Sequence, residues 1–236
     1  MTKDLLWRGM LAGILAALLS TLCARVIAEP QVDLAIAYEA SHAAHDMGGG
    51  EEELVSRATQ KGAGLLTALT LYGAAVGGIF SLVFAYGYGR IGRMGPRSFA
   101  LLLAGLAFLL VVIVPAIKYP QTPPAVGRHE TVGVRTAAYF AMIVLSLGAA
   151  VIAGRLRMAL SRSWRRIDAV LLAIGAYLLL VMLGQYLLPT IDEVPEHFPA
   201  SLLWNFRVAA MATQLVLWAT IGVAFGLSAE RLLQRQ

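Results

Sequence analysis

FALLLAGLAFLLVVIVPAI, residues Phe99–Ile117, runs for nineteen residues without one charge. At about 1.5 Å of rise per residue, a helix of this length nearly spans the roughly 30 Å hydrocarbon core of a bilayer. Comparable runs lie on both sides of it. They cover Leu5 to about Ala28, Ala63 to about Tyr86, Val132–Gly154, Ile167–Leu188 and Leu203–Leu227. The pattern predicts an all-α fold, a polytopic membrane helix bundle with six transmembrane helices. It forms one integral membrane domain over residues 1–236, with three outer connectors at 29–62, 118–131 and 189–202.

Composition agrees with that reading. Of 236 residues 58% are hydrophobic and 14% charged, with a mean hydropathy of +0.71. Soluble domains carry about 25% charged residues. The isoelectric point near 9.6 suggests nucleic acid at first sight. The basic residues sit between the apolar runs, however, where membrane orientation accounts for them. The expected partner is therefore the lipid bilayer, not nucleic acid. A single cysteine, Cys23, excludes an internal disulfide framework. Val26-Ile27-Ala28 resembles a signal-peptidase site, but the apolar region before it exceeds the 7–15 residues or so of a signal peptide core. A retained helix is expected.

Charge decides the orientation. Lys3, Arg8, Arg90, Arg93, Arg97, Arg155, Arg157, Arg162, Arg165, Arg166, Arg231 and Arg235 fall on one set of connectors and tails. The other set holds only Arg57, Lys61, Lys118 and Arg128. The excess of Lys and Arg on cytoplasmic connectors places both termini in the cytoplasm, in a multi-pass protein of the inner membrane. The carboxylates show the reverse bias. Eleven of them, from Glu29 to Glu196, fall outside, together with all four histidines: His42, His45, His129 and His197. Acids are what remain for outer loops in any such protein, but the histidines need a further reason.

The most polar stretch is Glu29–Glu53, EPQVDLAIAYEASHAAHDMGGGEEE, with seven carboxylates and two histidines. His42-x-x-His45-Asp46 sets two imidazoles and a carboxylate within one turn if that piece is helical. Oxygen and imidazole without sulfur suits cobalt, nickel or zinc. Candidate metal ligands are His42, His45 and Asp46, with Glu29 and Glu39 before them and His129-Glu130 on the next outer connector. Two histidines three apart are also ordinary on a solvent loop. Arg25, Arg135 and Arg207 lie inside the apolar runs, near their outer ends. A charge at that depth normally faces a partner, so these three are expected to form structural ion pairs. Glu29 stands near Arg25 and Glu130 near Arg135 in sequence.

Enzymatic readings find no constellation. G-x-x-x-x-G-K-[ST] is absent, and so is H-E-x-x-H. No acid sits at mid-span to relay protons. The chain is not expected to be an enzyme, nor to hold a permanent cofactor.

The chain resembles the CbtA family of predicted cobalt transporter subunits over essentially its full length. Glu29-Pro30 after the first span, Tyr38-Glu39 and the histidine-bearing loop carry part of the likeness. Most of it lies in Lys118-Tyr119-Pro120, Pro123-Pro124-Ala125-Val126-Gly127, Glu130-Thr131, Arg135-Thr136 and Tyr139. Members of that family can be much richer in histidine in the first outer loop. The resemblance implies uptake of Co2+ or Ni2+ and a small single-span partner, CbtB, with histidines of its own; a homo-oligomer is also compatible. The alternative from another class is a non-transporting membrane scaffold or metal sensor that assembles a small partner.

Overall fold

The computed structural model describes residues 1–43, 64–90 and 94–234. Every regular element among them is helical. Helix α1 covers Thr2–Cys23 and passes through a π-helical turn, Ala24–Ala28, into α2, Glu29–Ala43. Helix α3 is Leu65–Gly87. Helix α4, Pro96–Ala107, runs through a π segment at Phe108–Ile113 into α5, Val114–Lys118. A 3-10 turn at His129–Thr131 leads into α6, Val132–Leu160. Helices α7, Arg166–Leu187, and α8, Ala200–Leu233, complete the described chain. Among the described residues six helical runs are long and apolar enough to cross a membrane. They are Thr2–Ser41, Leu65–Gly87, Pro96–Lys118, Val132–Leu160, Arg166–Leu187 and Ala200–Leu233.

The first run departs from expectation. A connector was expected from residue 29, yet the helix continues to Ala43. Pro30 is unfavourable inside such a helix, since proline removes one helical N–H and its ring crowds the preceding turn. The π turn absorbs both effects: the Glu29 N–H reaches back five residues to the Ala24 carbonyl. A wider turn just ahead of a proline gives the ring room and re-routes the bonds. The same device recurs at Pro115, where Phe108–Ile113 is π-helical. Each π segment ends two residues before its proline.

The chain divides into two compact units. The first contains Met1–Phe108, Pro123–Ala125 and Pro199–Gln236; the second contains Leu109–Thr122 and Val126–Phe198. In the first, α1 packs on both α3 and α8, and α4 packs on α8. The α1–α3 contact is backbone on backbone. A Cβ added at Gly13 would strike the Gly73 carbonyl, and one at Gly77 the Gly9 carbonyl. Small residues spaced four apart allow this approach, where dispersion and polar contacts rather than water exclusion hold helices together. Phe84 anchors an aromatic cluster, 4.9 Å from Phe225 and 5.3 Å from Phe99 between ring centroids.

In the second unit α6 packs on α7, and α5 on α6. Its core contains Val114, Tyr119, Ala138, Met142, Ala149 and Val181. The Ser146 and Tyr177 hydroxyls bond at 3.0 Å inside it. Large apolar side chains elsewhere face outwards, among them Val144 at 69% and Leu179 at 65% exposure. An oily exterior over helix contacts rich in alanine, glycine and serine is the arrangement a lipid solvent selects.

Candidate functional site

Where α5 ends, Lys118 and Tyr119 turn the chain out of the helix. The Lys118 ammonium donates to the Gln185 carbonyl near the end of α7. The Gln185 side-chain amide in return donates to the Val114 carbonyl at 3.4 Å. The Tyr119 hydroxyl donates to the Pro189 carbonyl at 2.6 Å. Tyr119 is buried, and desolvation pushes its hydroxyl above the ordinary 10.0, so it remains a donor at neutral pH. The Gln185 and Pro189 carbonyls are among those that the end of α7 and the following proline leave without helical partners.

Ten residues further on lies a second set of contacts. The Arg135 guanidinium, in the first turn of α6, donates to Glu193 Oε2 at 2.7 Å. The Arg128 backbone N–H donates to the same oxygen at 3.0 Å. The Glu193 side chain is only 8% exposed, against 31% for Arg135. Its carboxyl is held below the ordinary 4.5 by the Thr131 hydroxyl first, then by the Arg128 N–H and the Arg135 charge, with desolvation opposing them. The Thr131 hydroxyl also donates to the Arg128 carbonyl at 2.9 Å. Having one proton to give, it cannot serve both acceptors at once. We attribute the lowering mainly to the Arg128 N–H and Arg135, whose bonds are explicit.

Gly127 makes room for the pair. Its φ of +120° is left-handed, and a Cβ there would meet the Arg135 guanidinium, with Glu193 Oε2 3.2 Å away. Glycine alone accepts both the backbone and the contact. The proline-rich connector is therefore tied to the end of α7 by Lys118 and to the segment after it by Tyr119, Arg128 and Arg135.

The expected ligands stand as follows. Glu29 is half-buried at the start of α2, and Glu39 is exposed in the same helix. Ten residues of helix separate them by about 15 Å along the axis, too far to share one ion. His42 lies in the last turn of α2 by its backbone, and His45 and Asp46 lie outside the described residues. His129 and Glu130 occupy the 3-10 turn, with Glu130 exposed. The α2 residues belong to the first unit and the turn to the second. Among the described residues, no three His, Cys, Asp or Glu gather in a way that could hold a metal ion.

The arginines also differ in their surroundings. Arg135 pairs with Glu193, 58 residues away, and not with its sequence neighbour Glu130. Local spacing pointed to the wrong acid because the true partner arrives through the α6–α7 hairpin. Asp192, Glu193 and Glu196 sit together between prolines, and nothing in that local pattern singles out Glu193. Arg25 is exposed in the first π turn, four residues before Glu29. Arg207 is half-buried in α8, its Nε enclosed without a hydrogen-bond partner among the described residues.

Six apolar helices and connectors stitched by side-chain-to-carbonyl bonds define a multi-pass membrane protein. The chain belongs to the CbtA family, whose model, described as a probable cobalt transporter subunit, matches residues 2–230. Searches of curated proteins and of solved structures found no match.

Proposed function

We propose that this chain is the membrane subunit of a cobalt uptake system of the inner membrane, able to take nickel as well. The observation that carries the reading is the family match over residues 2–230 on a chain with six membrane-length helices. The charge asymmetry supports cytoplasmic termini, with the 118–131 and 189–202 connectors outside. On this reading the outer carboxylates and imidazoles concentrate the divalent cation. His42, His45 and Asp46 form the first capture set, with Glu29 and Glu39 on the same arm. His129 and Glu130 form a second on the proline-rich connector. Arg135 and Glu193 brace that connector and do not bind metal, because a carboxylate already bonded to guanidinium is a poor ligand for a further cation.

The membrane potential supplies a driving force. A divalent ion gains about 4.6 kcal/mol per 100 mV, from roughly 2.3 per elementary charge. A small CbtB-like single-span protein with histidines is the expected partner, in keeping with the word subunit in the family's description. The experiment is accumulation of radioactive cobalt with His42 and His45 both changed to alanine. A several-fold loss with normal insertion supports capture by this arm. Unaltered uptake removes the arm from the mechanism.

A second reading, a scaffold or metal sensor that assembles the partner, is favoured by one observation. No three potential ligands converge among the described residues. A null strain that still accumulates cobalt when other routes are absent decides for it.

A further inference from the structure

A groove of about 760 Å³ lies between α1 and α8 in the first unit. It is lined at one end by Lys3, Asp4 and Arg8, and further along by Leu15, Ala12 and Ala224. Arg8 fixes the two helices at the polar end, donating to the Ser228 carbonyl at 3.2 Å and to its hydroxyl at 2.9 Å. Asp4 is already matched by the terminal ammonium at 3.0 Å. Lys3 and the rest of the Arg8 guanidinium therefore give the polar end a positive balance. Ala12 and Ala224 are small, which opens the apolar end between leucine walls. Trp7, 62% exposed, stands on the rim. Indole at the rim of a membrane helix favours the headgroup level.

We propose that this groove binds one anionic phospholipid, its phosphate at Lys3 and Arg8 and an acyl chain along Ala12 and Ala224. Charge selects the headgroup and the alanine floor admits the chain. Basic pockets between transmembrane helices hold acidic lipids for this reason. A zwitterionic lipid gains less, since its own ammonium meets the same cations. The groove lies wholly within the first unit, and the inference does not depend on metal uptake.

The test is native mass spectrometry of the full chain, purified in neutral detergent. The chain is equilibrated with equal amounts of phosphatidylglycerol and phosphatidylcholine of matched acyl chains. The wild type is expected to retain phosphatidylglycerol preferentially, by about fivefold for each engaged cation. Lys3→Gln should lower that preference by about fivefold, and Ala224→Leu should lower the retention of both lipids by filling the floor. Equal retention of both lipids overturns the proposal. So does a preference that survives Lys3→Gln, or a retention that Ala224→Leu leaves unchanged, which marks a surface charge and no groove. Displacement by millimolar inorganic phosphate overturns it as well, because a free anion would then be the ligand.

Discussion

Gly127 is the residue on which the tied connector turns. Its left-handed φ and its contact with Arg135 both exclude a side chain. Gly127→Ala is expected to destabilise the chain by about 1–3 kcal/mol, read as a lower melting temperature in detergent. The Arg135–Glu193 pair has its own signature. The folded carboxyl titrates below the ordinary 4.5, so its stabilising contribution is fully present above that pH. It is lost as pH falls through the lower folded value. The wild-type melting temperature should thus drop more steeply below pH 4.5 than that of Glu193→Gln, with the two curves parallel near neutrality. Parallel curves throughout would remove Glu193 from the account. Sequence alone marked Arg135 as needing a partner, because a cation at that depth must have one. It could not name Glu193, since contact across 58 positions depends on how α6 and α7 pack.

At the scale of elements, the α1–α3 interface offers a contrast between glycines. Gly77 faces the Gly9 backbone, whereas Gly148 in α6 has open space around its missing Cβ. Gly77→Val is expected to cost about 1–3 kcal/mol through overpacking. Gly148→Ala should leave stability unchanged or raise it by up to about 1 kcal/mol. Thermal melts of the two variants in one detergent check both statements. The four-residue spacing of Gly9, Gly13, Gly73 and Gly77 is legible in the sequence as a close-packing pattern. That the two pairs meet each other was not, because spacing names no partner. The extension of the first helix to Ala43 was equally hidden. Pro30 reads as a stop, and the π turn that accommodates it has no sequence pattern of its own. The apolar length of every span was plain by comparison, since a bilayer of fixed thickness demands it.

For the molecule as a whole, the six membrane-length helices and the family follow directly from the chain's own pattern of residues. The proposed capture site does not, because His42, His45 and Asp46 fall where side chains are not described, and Glu29 and Glu39 stand too far apart to serve together. Orientation gives an independent prediction. A cysteine placed at Gln121 in a Cys23→Ser background should react with a membrane-impermeant thiol reagent in intact cells. One at Ser163, among the basic residues between α6 and α7, should react only after permeabilisation. The reverse pattern inverts the topology and moves the acids to the wrong face. The central claim is tested most directly by cobalt accumulation in a metal-starved host lacking other uptake routes, with this chain expressed alone and with the proposed small histidine-bearing partner. Uptake that requires this chain, rises with the partner and collapses when the membrane potential is dissipated is the predicted result. Accumulation indifferent to the chain in both settings would contradict it.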